Sequence, residues 1–348
     1  PSSMTLRGAV EAADGVDDLD VRFEYRPVMA DEWTATDPLS VGQAGEARAE
    51  VTGLEPRQYY EYRLVADYGT ETGEGVLWHP EENAVFWLDI PNGRIFRYDP
   101  AADTHEQVHE DGRRIGGFTI QADGDFLLFM DDGEVQLWNP EDGLGDVIIP
   151  EIPEENGSRF NDVIAGPEGR VYAGTMAEGG SRGRLYRIET DGTFDVLIEG
   201  VATANGMGFS PDDTRFYFTE TNTETVWAFD FVRESGDLRN RRQFISTVGG
   251  PGKPDGLTVD EDGYVWSARW NGHSVVRFAP DGSVDRRVRF PARKVASVAF
   301  GDEKYETAYA PTATAGNPLD VEGDGAGALF SFDPGVNGLP EFRSRIDP

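Results

Sequence analysis

A turn built from acidic and small residues recurs along this chain at intervals of roughly 41 to 50 residues, and that period dictates what it can fold into. The turns are Pro80-Glu81-Glu82-Asn83, Ala122-Asp123-Gly124, Pro167-Glu168-Gly169, Pro211-Asp212-Asp213, Glu261-Asp262-Gly263 and Gly301-Asp302-Glu303. Each leads into an alternating apolar run such as Ala84-Val85-Phe86-Trp87 or Arg170-Val171-Tyr172-Ala173. A second turn and strand follow in every repeat, from Gly93-Arg94-Ile95-Phe96-Arg97-Tyr98 in the first to Gly327-Ala328-Leu329-Phe330-Ser331-Phe332 in the last. A unit of this size cannot bury its apolar face alone, so neighbouring units must stack. Six turns with six matching strands predict a six-bladed β-propeller, an all-β fold. Helical periodicity is sustained nowhere, which excludes α/β architectures.

Residues before about Glu71 lack the repeat and divide into short strands over 5–12, 21–28, 32–37, 47–52 and 59–66. Within them, Leu54-Glu55-Pro56-Arg57-Gln58-Tyr59-Tyr60 resembles the corner of a fibronectin type III domain, where a tyrosine, here Tyr60, ties its hydroxyl back to the turn. The expected organisation is a small, incomplete β-sandwich over 1–66 followed by the propeller over 67–348. Both units claim Arg63 to Tyr68. A ring left open exposes unpaired backbone groups, so the larger unit should win the segment. Its expected partner lies near Glu341 to Ile346.

Asp and Glu number 64 against 31 Lys and Arg, giving a formal charge of −33. Such a field repels nucleic acid and anionic membranes, which leaves a small molecule as the expected partner of a monomer or weak oligomer. The acids are dispersed along the whole chain, and the only lysines are Lys253, Lys294 and Lys304, a pattern expected of a salt-adapted protein. With 38% hydrophobic residues the chain can build a substantial core, yet no apolar run reaches the roughly 18 residues a membrane helix needs. Pro1 to Val10 show no basic start followed by an apolar stretch, so no secretory signal is visible and a cytoplasmic location is expected, although the chain does not begin with Met. There is no Cys, which removes disulfides, thiolate metal sites and a Cys nucleophile. His79, His105, His109 and His273 lack zinc-ligand spacing and read as ordinary surface or turn residues.

The chemistry emerges when the blades are aligned on their turns. Seven residues before the turn acid stand Glu74, Gly116, Asn161, Asn205, Asp255 and Ala296, the last beside Ser297. This position opens the run that should be the innermost strand of each blade, and equivalent points on inner strands converge on the propeller axis. Glu74, Asn161, Asn205 and Asp255 should therefore meet at one end of the channel. Two carboxylates and two amides facing one another need a cation. Oxygen ligands without Cys or His favour a hard divalent ion, calcium first, then magnesium or manganese, with zinc and iron(II) as further alternatives.

The stretches Gly73-Glu74-Gly75-Val76-Leu77-Trp78, Arg159-Phe160-Asn161-Asp162, Ala173-Gly174-Thr175-Met176-Ala177-Glu178, Asn205-Gly206-Met207 and Pro254-Asp255-Gly256-Leu257 stand together in an order that resembles the senescence marker protein, gluconolactonase and luciferin-regenerating enzyme family. The likeness runs from about Arg63 to Ile346. It implies a metal-dependent sugar lactonase with Glu74, Asn205 and Asp255 as direct ligands and Asn161 near metal and substrate. It also implies that Arg159 and Glu178 contact substrate oxygens. Two departures stand out: Val76 replaces the family's usual Pro, and Gly179-Gly180-Ser181-Arg182 replaces a longer acidic segment, which bears on substrate preference. In the expected chemistry, water activated at the ion attacks the lactone carbonyl, with Asp255 as general base and Arg159 on the developing oxyanion. No Gly-x-Ser-x-Gly elbow is present, so an acyl-enzyme is not expected. The alternatives are another ester or phosphotriester hydrolase on the same scaffold, or a binding propeller with a structural metal.

The charge makes a first prediction. Lowering salt from 1 M to 0.1 M lengthens the Debye distance from about 3 Å to about 10 Å, so repulsion among surface acids grows and the thermal midpoint should fall. A midpoint that stays flat over that range contradicts salt adaptation.

Overall fold

The computed structural model describes residues 62–347 throughout and, before them, the strand segments Ser3–Val10, Asp18–Val21, Glu24–Tyr25, Thr34–Ala35, Leu39–Gly42 and Gly45–Thr52. The chain divides into two units, Pro1–Glu61 and Tyr62–Pro348. In the first, the six strands form three nested antiparallel pairs: Ser3–Val10 with Gly45–Thr52, Asp18–Val21 with Leu39–Gly42, and Glu24–Tyr25 with Thr34–Ala35. Tyr60 and the corner expected around it lie outside the described residues.

The second unit is a six-bladed propeller. Its first five blades are four-stranded antiparallel sheets in chain order, with inner strands Gly73–His79, Ile115–Ile120, Phe160–Ala165, Ala204–Phe209 and Lys253–Val259. Blade six takes its inner edge from Lys294–Val295 and Ala299–Gly301, continues through Thr307–Ala313 and Ala328–Phe332, and borrows its outer strand, Arg63–Asp67, from the start of the unit. The expected closure of the ring by Arg63 onward is therefore present. Its partner differs: Leu329 faces Ala66 and Phe330 faces Leu64, so the pairing strand is Ala328–Phe332 and not Glu341 to Ile346. An edge strand with a free ladder outcompetes an irregular tail as partner because it satisfies the backbone groups of the whole segment.

Between blades, apolar side chains from facing sheets interlock. Val65, Ala66, Tyr309 and Leu329 of blade six pack on Val76, Trp78, Trp87 and Phe96 of blade one, so closure also buries a core cluster. Each large apolar side chain so enclosed contributes about 1.5–3 kcal/mol. His79, expected as a surface or turn residue, accepts the Glu82 N–H of the turn through Nδ1 at 3.2 Å but is buried, and it bonds the Gly124 carbonyl through Nε2 at 2.9 Å, tying blade one to the turn of blade two.

The C-terminal segment, expected to close the ring, instead crosses its axis. Gly338 pairs with Asp260 just past the inner strand of blade five, and Ser344 pairs with Gln121 just past that of blade two, on the opposite side of the ring. Arg345 N–H then donates to Gly169 and Asp347 N–H to Thr190, both at 2.9 Å. Pro340, Glu341 and Phe342 lie between these anchors, with the Phe342 ring 5.6 Å from that of Phe209. The strap covers the trailing ends of the inner strands, and their leading ends carry the residues singled out above.

Around the axis those leading ends crowd together. A Cβ added to Gly206 would stand 2.4 Å from the Leu257 nitrogen and 2.5 Å from the Asp255 carbonyl oxygen, both rigid backbone of the next blade. Gly206→Ala should therefore destabilise the propeller by about 1–3 kcal/mol, measured by denaturant unfolding. An unchanged midpoint would show that the inner strands are looser than their spacing here.

Candidate active site

Every inner strand of blades one to five carries a register shift at its leading end. The shifts fall between Glu74 and Leu77, Ile115 and Gly117, Phe160 and Val163, Asn205 and Met207, and Pro254 and Leu257. Such bulges bend the strand and re-aim side chains. Gly75, at φ 59°, supplies the left-handed residue that the first of them requires. The position selected by alignment in sequence thus falls at or beside this shift in blades one to five.

The structure brings the predicted residues together. Asn205, 4% exposed, donates through Nδ2 to Oδ1 of Asp255, 3% exposed, and to the Thr221 hydroxyl at 3.1 Å. That hydroxyl donates in turn to the Pro254 carbonyl at 2.9 Å, fixing the two inner strands relative to each other. Asn161 donates through Nδ2 to the Ala204 carbonyl at 2.8 Å and accepts from Arg159 Nη1 through Oδ1 at 2.7 Å. Arg159 Nη1 also donates to the Phe160 carbonyl at 2.8 Å. Glu178, expected to face substrate, accepts from Arg114 at 2.8 Å, and the same guanidinium reaches Asp131 at 2.6 Å.

The electrostatics are those of uncompensated buried acids. Burial, then the charges of Asp255 and Asp162, holds the Glu74 carboxyl well above the usual carboxylate range, while the Gly75 N–H and Arg159 pull the other way. Burial, then Asp162, pushes Asp255 up likewise against its bond from Asn205. Burial raises Asp162 to about 6 although one oxygen accepts the Val163 N–H at 2.8 Å. Among the described residues no three His, Asp or Glu side chains form a metal cage. The donor set at the axis is two carboxylates with amide oxygens, which fits a hard cation: a doubly charged ion would offset the burial and the neighbouring acid charges that raise both carboxyls.

Sequence reasoning passed over Asp162 and Glu341. Asp162 follows Asn161 within the bulge, where two successive side chains can serve the channel, whereas a regular strand would send them to opposite faces. Glu341 lies on the strap, outside any repeat. A further signal was present in the alignment. Two residues before the axial position stand Thr72, Arg114, Arg159, Thr203, Lys253 and Lys294, so four of six blades place a cation at the rim, including two of the three lysines. Lys294 pairs with Glu322 and Arg114 with Glu178, while Lys253 has no polar side-chain partner among the described residues.

Residues 72–314 match the family described as SMP-30/gluconolactonase/LRE-like region. The chain is 44% identical over 288 residues to a pentonolactonase of Haloferax volcanii, covering 81% of this chain and 97% of that protein. It is 30% identical over 275 residues to a 6-deoxy-6-sulfogluconolactonase of Pseudomonas putida, covering 77% and 93%. A calcium-binding regucalcin of Agrobacterium tumefaciens shares the fold, with a TM-score of 0.75 at 23% identity, covering 83% of this chain and 98% of that one.

An acid whose pKa is raised on folding keeps its proton in the folded chain at pH values where the unfolded chain has released it. Stability therefore falls as pH climbs from the usual carboxylate range toward the raised value. Glu74→Gln removes one such acid. In metal-free protein the variant should lose less stability than the parent between pH 5 and pH 8, the difference being on the order of 1–3 kcal/mol. Parallel pH–stability curves would mean that Glu74 is not so enclosed.

Proposed function

The chain belongs to the SMP-30/gluconolactonase/LRE-like family and is a lactonase, and from that premise we propose that it hydrolyses a sugar lactone to the aldonic acid at the axial mouth where Glu74, Asn205 and Asp255 meet. The observation that carries this is the pair of enclosed, mutually repelling carboxylates beside an arginine whose other donors are free among the described residues. Pentonolactones and gluconolactones are the substrate class, since the relatives that match over most of this chain are named for them.

Glu74, Asn205 and Asp255 would hold one divalent cation, calcium first among the hard ions, with Asn161 beside it. When bound, that ion polarises the lactone carbonyl and acidifies water. The remaining work belongs to the chain. The Arg159 guanidinium is fixed by its bonds to Phe160 and Asn161, which leaves its other N–H groups to hold the carbonyl oxygen as charge develops on it. Asp255 accepts the proton of the attacking water, one of its oxygens being held by Asn205. The ring C–O bond then breaks, and the departing alkoxide takes the proton back. Gly116 and Ala296 hold the equivalent position in the two remaining blades and add no polar side chain to this set.

Hydrolysis of pentono- and gluconolactones, followed by proton release in molar salt, should be lost on chelation and restored by a divalent ion. Asp255→Asn should lower kcat by about 100-fold or more. It should also abolish the rise in thermal midpoint that the added ion gives the parent by mass action. A variant with parental turnover and parental metal response would sink the assignment.

A further inference from the structure

Blade five carries three arginines on one face, and none of them pairs with a carboxylate among the described residues. The second, third and outer strands of that blade are Val265–Trp270, Ser274–Phe278 and Val284–Arg289. Ser274 pairs with Arg269 on one side and with Arg289 on the other, and two residues along Val276 pairs with Arg287. Cross-strand partners and residues two apart share a face of a sheet, so Arg269, Arg287 and Arg289 stand together around Ser274. Val265 and Val276, on that same face, pack with Tyr217 and Val226 of blade four, which places the group in the seam between blades four and five. Arg287 Nη1 donates to the Ser274 hydroxyl at 3.4 Å, and that hydroxyl donates to the Gly272 carbonyl at 2.9 Å.

Arg269 is 4% exposed, and its Nε and Nη1 have no hydrogen-bond partner among the described residues. The Phe278 ring lies under its guanidinium at 5.3 Å, and Glu224 on the facing turn of blade four acts on it through space without forming an ion pair. Burial, then the charge of Arg287, brings its pKa down to about 10 against the pull of Glu224. Burial and then Arg289 lower Arg287 in the same way. A shortage of acids does not explain this, because 64 Asp and Glu face 31 Lys and Arg in the chain. Arg277, as deeply buried on the neighbouring strand, is answered by Asp260, Asp262 and Asp285. A buried, uncompensated guanidinium is costly. Water can satisfy its N–H groups but leaves the three like charges opposed, whereas an anion does both.

We propose that Arg269 and Arg287, with Arg289 adding charge beside them, bind one small monovalent anion of the halide class, chloride in a salt-rich medium. The enclosure of Nε and Nη1 favours a monoatomic ion over a phosphate or a sugar acid, whose remaining oxygens would need room and donors of their own. Bound there, the anion ties the outer strand of blade five to the second strand. Arg269 of that strand stands opposite Pro254, the neighbour of Asp255, so the anion steadies the strand that carries an axial carboxylate.

Bromide-soaked crystals of the full chain test the site, because anomalous scattering locates the ion independently of activity. A bromide peak against the Arg269 guanidinium is expected in the parent and should be absent in Arg269→Met, which keeps a long side chain and loses the charge. In solution, chloride substituted for glutamate at fixed ionic strength should raise the parent's thermal midpoint progressively with chloride concentration. Arg269→Met should lose that response. Holding ionic strength fixed separates it from screening of the surface acids. If Arg269→Met does not fold, Arg287→Gln answers in its place and should weaken the peak and the chloride response together. No peak at molar bromide in the parent, with water or the Glu224 carboxylate against Arg269 instead, overturns the site. A peak without a chloride response is an adventitious ion only and overturns it equally, as does a response that survives in the variant.

Discussion

Closing six sheets around an axis forces the leading ends of the inner strands into contact, and the rest of this molecule answers that crowding. Backbone of blade four lies so near blade five that Gly206 has no room for a Cβ, and at Gly116 an added Cβ would fall 1.9 Å from the Phe160 carbonyl oxygen. At the leading ends four blades place a polar side chain, and convergence makes neighbours of carboxylates that stand 181 residues apart in sequence, at Glu74 and Asp255. The repulsion so created is unfavourable in the bare fold, and the cation proposed for the mouth would relieve it. Site and strain thus have one origin in the geometry of the ring.

The bulges connect this constraint to chemistry. A regular strand would send alternate side chains outward, whereas the shift at the head of each inner strand turns the axial residue inward and lets Asn161 and Asp162 both serve the channel. Hydrogen bonds then hold what the bulge has aimed. Thr221 links Asn205 to the backbone before Asp255, and Arg159 holds Asn161 by its amide oxygen. In the proposed reaction, preorganisation of this kind would let a lactone carbonyl meet fixed donors without the site rearranging.

In a chain of net charge −33, the distribution of its few cations carries information. Most surface arginines sit in ion pairs with nearby acids, as Arg187 does with Glu189, Asp195 and Asp237. One register position carries four cations, of which Arg159 opposes the raised carboxyls of Glu74 and Asp255 while Arg114 and Lys294 are taken by Glu178 and Glu322. In the proposed reaction, a neutral lactone and its anionic product would meet Arg159 there, in a local field unlike that of the surface as a whole.

The repeat alone determined the number of blades, the identity of their inner strands and the convergence of Glu74, Asn161, Asn205 and Asp255, because a fixed period converts equal steps along the chain into equal angles about an axis. It also indicated that Arg63 to Tyr68 belongs to the ring, since an open edge is costly. Other features had no periodic signature. The pairing of Glu178 with Arg114 joins two loops 64 residues apart. The partner of Arg63–Asp67 is a free strand edge, and composition does not distinguish it from the C-terminal tail. The tail itself lies beyond the last repeat, so only the folded ring decides that it spans the channel and delivers Glu341 to Asp162. The sequence sets what repeats, and the tertiary structure decides what the non-repeating segments meet, because those contacts exist only once the ring has closed.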